Sequence, residues 1–563
     1  MNPLDQSATP ATVKQANLIY SRDPIWGLVL VLLALLGWLM SENSRLRAEM
    51  VEVKAALQLE RAKRFGRSSE QSAKDNSAPE ENSSPLVIEG EAYEIGGRPA
   101  PLGPHPEPRQ RGGQPGHKGH GRSLPPNLPR QEVACELPVE AQCCSTCGRP
   151  YASSTLTEDS EEVVIEVKAH VRRYRRKRYR LSCDCLGPKL ITAPIPPKVI
   201  PKGKFSVESW VKFLLDKYQF QIPIARQVKQ LAQIDLPVAE STIHGGFHKL
   251  SDYLLPLYEA FLVHLRTAQH MHADETSWRL FEEVPGKANY RWWLWVFASK
   301  QVGVVIFVLD PSRSANVPKK TLSEQLPDGQ SAAEAGQSYQ IEGHTYVLND
   351  NLAIISADRL RVYQAISDLI RVAFCWSHQR RDFVDFSKSY AQQPILVAWA
   401  ESWVAEIGQL YALNEARLTV RNQPELFQQA QAKLEAAVAA MKNRTAARQG
   451  LLPAQQKILV SMERHWAGLI LFVIDPDIPM DNNWAERLIR LGVMGRNNYY
   501  GHHAIWAGEL AAMVFSIIET CQLNHLNPYQ FLLDYFNACA QLAQAPSDLT
   551  PFLPWLNKTR PPP

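Results

Sequence analysis

Three acidic residues stand where a protein could hold divalent metal ions. Asp274 lies in "MHADETSWRL", shortly before the apolar run "RWWLWVFA", and Asp358 follows the apolar residues 353–355. Carboxylates at strand ends can bind two hard divalent ions, the arrangement that phosphodiester transfer uses. A single aspartate at a strand end is more often a cap or turn residue. The two acids therefore indicate a metal site only together with a third acid, Glu486.

Glu486 lies in "DIPMDNNWAERLIR", residues 477–490, where Asp481 suits a helix N-cap. At about 100° per residue, one side of this helix is apolar and holds Trp484, Ala485, Leu488 and Ile489. The opposite, net-basic side holds Asn483, Glu486, Arg487 and Arg490. Taken alone, the pattern is also that of an exposed Glu486–Arg490 pair, worth a few tenths of a kcal/mol.

The composition indicates a multidomain protein with a large core. The chain has 563 residues, of which 45% are hydrophobic, and a net charge of +4. This length suits about three or four domains, and the small net charge leaves any nucleic-acid contact to local clusters. Six of the nine cysteines lie between residues 135 and 185. Such clustering is typical of metal binding in a reducing compartment, and we find no cleavable secretory signal.

The first 65 residues predict a disordered N-terminus (1–23) followed by an apolar helix and coiled coil (24–65). Residues 25–40 are apolar on every side, which fits a helix buried either in a membrane or in an oligomer. A coiled coil is predicted over residues 41–57, and an asparagine at one a position is a common dimer-specifying choice. The heptad a positions are Val29, Leu36, Asn43, Met50 and Leu57, and the d positions are Ile25, Leu32, Leu39, Leu46 and Val53.

A Gly/Pro-rich linker (66–130) precedes a small cysteine domain (131–200). Cys144 and Cys147 have the CxxC spacing, and Cys183 and Cys185 follow after a hairpin-sized insert. This layout predicts a zinc ribbon that binds Zn²⁺. The second pair encloses one residue where two are usual, so a metal-free ribbon and a substitute ligand, Cys143, are alternatives.

The segment "KAHVRRYRRKRYR", residues 168–180, is strongly basic. Eight of its thirteen residues are Lys or Arg, with tyrosines between them. These eight positive charges repel one another, and a phosphate backbone would neutralise them. Tyrosines can stack on bases or bond to sugar and phosphate, so the segment predicts DNA contact. The alternative is a solvated charged strand. The residues predicted to contact DNA are Arg172, Arg173, Arg175, Arg176, Lys177 and Arg178.

The remaining chain predicts helical and α/β regions. Residues 201–270 are helical in pattern, and 224–250 fit either a helix-turn-helix or an ordinary helical hairpin, with the second helix starting at Glu240. Apolar runs predict an α/β core over 271–391, continued at 471–523. Residues 392–470 are helix-rich, and a C-terminal helix and tail occupy 524–563.

The motif "CWSHQRRDF" follows a predicted strand. Its Arg380 and Arg381 could hold phosphate, and the alternative is an ion pair with Asp382 or Asp385. Cys375 and His378 are a minor metal-binding alternative, because no other ligand lies near them in the sequence.

Several of these motifs occur in the order typical of one family. They are "RFGRSSE", "GGQPGHKGHGR", "CSTCG", "HADETSW", "CWSHQRRDF" and "DNNWAERLIR" followed by "GRNN". From about residue 46 to residue 532 the chain resembles transposases of the insertion sequence 66 family, the transposase C type. The resemblance implies an α/β, RNase H-like catalytic core with a helical insertion over 392–470, preceded by the coiled coil, the zinc-ribbon-like domain and the helical DNA-binding segment.

The resemblance also implies a catalytic Asp-Asp-Glu triad of Asp274, Asp358 and Glu486. Asp358 is preferred to Asp350 because Tyr363 follows it at the family's spacing. The triad would bind two Mg²⁺ ions, for which Mn²⁺ could substitute, and Asn483, Arg487 and Arg490 would hold DNA beside them. Arg359 and Leu360 depart from the family's Gly-Tyr, and Asn497 replaces a basic residue.

The expected function is metal-dependent cleavage and strand transfer of an insertion sequence in the bacterial cytoplasm, at the nucleoid. The expected partners are the element's ends, the target duplex and further copies of the chain, paired through the coiled coil. One alternative is a catalytically inactive derivative that binds DNA or is tethered to the inner membrane through residues 24–40. Another is a nuclease that hydrolyses DNA without joining it.

Overall fold

The computed structural model describes residues 32–33, 35–43, 45–46, 50, 128–143, 146–151, 160, 163–183, 186–285, 287, 289–326, 338–348, 352, 354–366 and 370–556. The chain divides into two compact units. One contains residues 1–103, 197–223 and 244–563, and the other contains residues 104–196 and 224–243. Most of the predicted coiled coil and the linker lie outside the described residues, as do Cys144, Cys185 and Asp350.

The helices and strands are numbered here in chain order. Up to the middle of the chain they are β1 (Arg178–Arg180), β2 (Leu190–Thr192), α1 (Val207–Tyr218), α2 (Ile224–Ala232), α3 (Glu240–Leu265), β3 (His270–Arg279), β4 (Arg291–Ser299), β5 (Val304–Asp310), α4 (Asn316–Leu322), β6 (Ser323–Gln325), β7 (Ser338–Ile341) and β8 (His344–Leu348). The rest are β9 (Ile354–Ala357), α5 (Arg361–Gln364), β10 (Arg371–Phe374), α6 (Trp376–Ser389), α7 (Pro394–Thr419), α8 (Pro424–Ala446), α9 (Pro453–Arg464), α10 (Trp466–Leu469), α11 (Leu471–Ile474), α12 (Asn483–Tyr499), α13 (Ile505–Leu523) and α14 (Pro528–Leu542). Short 3-10 helices occupy Val139–Gln142, Thr550–Phe552 and Pro554–Leu556.

The smaller unit contains a short antiparallel hairpin within its basic segment. Tyr179 of β1 pairs with Ile191 of β2. Strand structure is confined to Arg178–Arg180, and residues 168–177 have no regular secondary structure. The alternative of a charged strand over the whole basic segment is therefore not the observed arrangement. The basic side chains are nevertheless exposed, so they remain accessible to a charged partner.

A five-stranded mixed sheet forms the centre of the larger unit, in the order β10-β9-β3-β4-β5. Strands β10, β9 and β3 run parallel, whereas β4 and β5 are antiparallel additions. The runs "RWWLWVFA", "VGVVIFVL" and "VAFCW" correspond to β4, β5 and β10, as predicted from their aromatic and β-branched residues. A second, three-stranded sheet in the order β6-β8-β7 was not predicted.

Two C-terminal helices cover this sheet. Helix α12 approaches β4 closely: a Cβ at Gly492 would stand 2.5 Å from Cδ2 of Leu294. Helix α13 lies on the edge strand β5, where Ser516 Oγ accepts the Phe307 N–H and Thr520 Oγ1 accepts the Val305 N–H. Hydroxyl groups thus satisfy backbone groups that an edge strand would leave without partners.

Helices α7, α8 and α9 occupy the predicted helical insertion. Their apolar side chains form one core with α6, in which Trp403 stacks on Phe383 with ring centroids 5.3 Å apart. The fully buried Arg417 donates to the carbonyl oxygens of Phe472 and Val473, so the insertion is also fixed to α11. The helices following this insertion lead directly into α12.

The candidate helix-turn-helix has the predicted start of its second helix, at Glu240, but that helix continues to Leu265. Its buried stripe consists of Ile243, Phe247, Leu250, Leu254, Leu257, Phe261 and Leu265. Its length and buried stripe are those of a core helix, and a DNA-reading role for residues 224–250 remains a prediction.

The described residues between 32 and 50 are helical, and Leu36, Leu39 and Leu46 of the predicted heptads are exposed in the single chain. Residues 24–31 of the predicted membrane-spanning segment lie outside the described part. Within the described part, no helix combines the length and apolarity that crossing a membrane requires.

Candidate active site

Asp274 lies in the middle of β3, not at a strand end as predicted, whereas Asp358 follows directly after the neighbouring parallel strand β9. His272 of β3 pairs with Ser356 of β9, and Asp274 and Asp358 each follow two residues later. Neighbouring strands lie about 4.8 Å apart, so this register brings the two backbones together at one end of the sheet. Asp358 ends its strand with an Asx turn, in which its Oδ1 accepts the Leu360 N–H at 2.9 Å.

Helix α12 is attached to β3 directly beside Asp274, through Asn482. This residue, 1% exposed, donates from Nδ2 to the Ala273 carbonyl at 2.7 Å, and its Oδ1 lies 3.0 Å from His272 Nδ1. Since the amide oxygen only accepts, the His272 ring must donate from Nδ1. Burial lowers the pKa of His272 to about 3, so the ring is neutral.

The start of α12 differs slightly from the prediction. Asn482, rather than Asp481, occupies the N-cap position, while Asp481 Oδ1 accepts the Asn483 N–H at 3.1 Å. The predicted sides of the helix are confirmed: Ala485, Leu488 and Ile489 are buried, whereas Arg487 and Arg490 are exposed. Glu486 stands in the first turn, half-buried.

The pKa of Asp274 reflects its burial and the charges of other acids. Burial raises the pKa of Asp274 well above its ordinary value, and the charge of neighbouring Glu275 raises it further. The charges of Asp358 and Glu486 act in the same direction. Among the described residues, no lysine or arginine forms an ion pair with Asp274 or Asp358. A bound divalent ion would relieve the repulsion among these acids.

A fourth acid, Glu275, was missed by the sequence reasoning. Its side chain is 1% exposed, and Arg313 Nη2 donates to its Oε1 at 2.6 Å. The hydroxyl of the fully buried Tyr363 donates to Oε2 at 2.9 Å. Strand alternation directs Glu275 to the opposite side of β3 from Asp274. Burial raises the pKa of Glu275, and the charge of Asp358 raises it further, so Glu275 is electrostatically linked to the candidate site. The spacing of Tyr363 after Asp358 was the one sequence signal of this contact.

Arg359, directly after Asp358, connects this loop to two helices. Its guanidinium, 15% exposed, donates to Gln379 Oε1 and the His378 carbonyl and forms a 2.8 Å ion pair with Asp382. It also donates to Ser461 Oγ on α9 at 3.1 Å. Asp382 is therefore paired with Arg359, so the alternative in which Asp382 neutralises Arg380 or Arg381 is not the observed arrangement.

A group of ligand atoms of a different kind meets at Glu486. Cys375 Sγ, His378 Nδ1 and Glu486 Oε1 all lie within 4.8 Å of one another. Among the described residues, this is the one such group of three or more. The oxygens of Asp274, Asp358 and Glu486 do not all lie within 4.8 Å of one another.

The predicted DNA-binding residues fall into both units. In the larger unit, Arg381, Arg487 and Arg490 are exposed, and Arg380 and Asn483 are half-buried. The cluster from Arg172 to Arg178 belongs to the smaller unit. Of the predicted zinc ligands, Cys147 and Cys183 are described, and both are exposed and free of disulfides.

Comparison with known proteins gives one family match. The model of the family described as "Transposase IS66 family" matches residues 202–510, which include the whole five-stranded sheet, the helical insertion and α12. All three candidate acids lie within the matched range.

The curated relatives are of limited help with function. "Uncharacterized protein y4jD" of Sinorhizobium fredii (strain NBRC 101917 / NGR234) is 26% identical over 446 residues, 77% of this chain and 81% of that protein. "Uncharacterized protein y4hP" of the same strain is 22% identical over 453 residues, 77% of this chain and 76% of that protein. No solved structure matches the chain.

Proposed function

The chain belongs to the IS66 family of transposases, and from this premise we propose that it is a metal-dependent DNA cleavage and strand-transfer enzyme with an RNase H-like core. The main support is that Asp358 directly follows β9, which runs parallel beside Asp274's strand β3, and that Asn482 fixes the start of α12, the helix of Glu486, to β3. The strand order β10-β9-β3-β4-β5, with the last two strands antiparallel, is compatible with that core.

Under this proposal, Asp274, Asp358 and Glu486 would hold two Mg²⁺ ions, which Mn²⁺ could replace. When bound, these ions would activate the attacking oxygen and stabilise the leaving oxygen of a phosphodiester. Their fit rests on the all-carboxylate donor set and on the pKa of Asp274, which burial raises most and which the charges of Glu275, Asp358 and Glu486 raise further. Zn²⁺ at Cys144, Cys147, Cys183 and Cys185 remains a separate prediction.

The protein's own groups would bind and orient the DNA. The exposed Arg487 and Arg490 follow Glu486 on α12 and would hold phosphates beside the acids. Water would first cleave the phosphodiester at the element's end and leave a 3′-hydroxyl, which would then attack the target duplex. The exposed cluster from Arg172 to Arg178 would add contacts that depend on salt but not on sequence. The proposal assigns this activity to the cytoplasm, where bacterial DNA lies, and expects protomers to pair through the coiled coil.

The decisive experiment replaces each acid by its amide. Asp274→Asn, Asp358→Asn and Glu486→Gln should each abolish Mg²⁺-dependent nicking of DNA that carries the element's end, while gel-shift affinity stays within about twofold of the unmodified protein. A matched control is Glu425→Gln, since Glu425 is also an acid in the first turn of a helix but is exposed on α8. Normal nicking by Glu486→Gln would overturn the triad.

The same assay separates the alternative functions. Binding of element ends without cleavage under Mg²⁺ or Mn²⁺ would instead support a catalytically inactive DNA-binding derivative. Cleavage without insertion of the 3′-end into a second duplex would support a nuclease.

A further inference from the structure

Cys375 and His378 stand at the start of α6, next to Glu486 but separated from it by more than a hundred residues of sequence. Cys375 is the N-cap residue of α6, and His378 lies in that helix's first turn. Helix α12 brings Glu486 to the same place. The fold thus assembles a thiol, an imidazole and a carboxylate from two helices that converge at the sheet end.

The polar atoms of this cluster lack the partners that buried groups normally have. Among the described residues, neither His378 Nδ1 nor Glu486 Oε1 has a hydrogen-bond partner, although both atoms are buried. The two atoms are 3.7 Å apart, too far for a hydrogen bond. Buried polar atoms without partners are rare, and a ligand is one of the standard reasons for them.

The separation suits a shared metal ion. Two ligands held about 2.1 Å from a tetrahedral ion stand roughly 3.4 Å from each other. The observed 3.7 Å between nitrogen and oxygen is close to that value. A sulfur, a nitrogen and an oxygen ligand form a typical set for Zn²⁺, whereas Mg²⁺ prefers oxygen alone.

Cys375 is also prepared to carry negative charge. Its sulfur accepts the Asn482 N–H at 3.2 Å, and it caps the positive end of the α6 dipole. A coordinated cation would supply the charge that stabilises the thiolate.

We propose that Cys375, His378 and Glu486 form a separate site for Zn²⁺ or a similar thiophilic divalent ion. Three protein ligands leave a fourth position open, as in zinc sites that exchange a ligand. Because Glu486 is shared, an ion bound here competes with the Mg²⁺ site for that carboxylate and suppresses DNA cleavage. This regulatory consequence rests on the proposed function, but metal binding itself does not.

Binding is tested on the full-length protein with Co²⁺ alone, which reports tetrahedral thiolate coordination through its visible and charge-transfer absorption. Cys375→Ser and His378→Ala should each bind one Co²⁺ per chain fewer than the unmodified protein. Cys521→Ser is the matched control, because Cys521 is also buried and free but lies on α13. Any metal held by the ribbon cysteines is common to all four proteins and cancels in the comparison.

Co²⁺ stoichiometry and spectra that are the same in all four proteins would overturn the site. His378 is 26% exposed, so His378→Ala leaves a smaller void than a change at Cys375 and decides the matter if Cys375→Ser does not fold. Circular dichroism identifies a variant that has not folded.

A cleavage assay tests the regulatory consequence. Zn²⁺ added to the Mg²⁺ reaction should inhibit the unmodified protein at concentrations at least about tenfold lower than those that inhibit His378→Ala, each compared with its own zinc-free rate. Equal sensitivity would refute competition for Glu486. If the unmodified protein does not cleave DNA at all, the proposed function fails while the Co²⁺ comparison still decides the metal site.

Discussion

Replacing Asn482 should change the position of α12 relative to β3 without unfolding the helix. Its amide makes two side-chain hydrogen bonds to β3, to the Ala273 carbonyl at 2.7 Å and to His272 Nδ1 at 3.0 Å. Asn482→Ala would leave both partners buried without a hydrogen bond, at a cost of about 1–3 kcal/mol each. With partial relaxation we expect a loss of about 3 kcal/mol in the free energy of unfolding, measured by urea denaturation.

The functional effect should exceed this loss of stability. Without the amide, the first turn of α12 is no longer held beside Asp274, so Glu486 is less well positioned for a shared ion. Nicking by Asn482→Ala should therefore need about 10–100-fold more Mg²⁺, the usual effect of removing a residue that orients a metal ligand. Asn482→Asp keeps an acceptor for His272 but cannot donate to Ala273, so it should lie between the two.

A control at the other end of the same helix distinguishes positioning from general destabilisation. Asn498→Ala removes one bond, from Nδ2 to the Gln221 carbonyl at 3.0 Å, at an exposed residue. It should cost no more than about 1 kcal/mol and leave the Mg²⁺ requirement unchanged. An unchanged Mg²⁺ requirement in Asn482→Ala, or an equal change in both variants, would refute the positioning argument.

Two further predictions concern Arg359, next to Asp358, and the buried His502, which stacks on Trp278. Arg359→Ala should lower nicking about 10–100-fold, because the loop that carries Asp358 loses its hydrogen bonds to α6 and α9. A Mg²⁺ titration of nicking and a gel shift together check that the Mg²⁺ requirement, and not the affinity for DNA, has changed. Burial lowers the pKa of His502 well below its ordinary value, so the unfolded chain gains a proton below about pH 6.5 that the folded chain does not. The free energy of unfolding of the unmodified protein, relative to that of His502→Gln, should therefore fall by up to about 1.4 kcal/mol per pH unit as the pH decreases. Urea denaturation between pH 6.5 and 4.5 measures this difference. If the difference does not change with pH, the buried ring is not held neutral.

Sequence reasoning succeeded where a local pattern determines structure. The apolar runs that became β4, β5 and β10 were identified because strands covered on both sides need continuous aromatic and β-branched residues. The helical periodicity of α12 likewise fixed which residues are buried. The expectation that both aspartates stand at strand ends holds for Asp358, which follows β9, but not for Asp274, which lies in the middle of β3.

Contacts between distant parts of the chain could not be predicted from local sequence patterns. Nothing in the local pattern connects Glu275 with Arg313, or Asn482 with His272, because these pairs form only when the strands and α12 assemble. The basic segment 168–180, for which a charged strand was an alternative, is mostly irregular, since eight like charges in thirteen residues carry no alternation that would select a strand. Cys375 and His378 were set aside for lack of a third ligand, which the fold supplies from α12.

Arg359 shows how a departure from a family pattern can carry its own structural reason. In the sequence, an arginine in place of glycine next to Asp358 suggested a weakened site. In the fold, its guanidinium spans from that loop to His378 on α6 and Ser461 on α9. Because α9 packs into the core of the helical insertion, a displacement of the insertion must either break these bonds or move the residue adjacent to Asp358. DNA that bears on the insertion would then act on the candidate active site through one side chain, and Arg359→Ala should uncouple the two while leaving both helices folded.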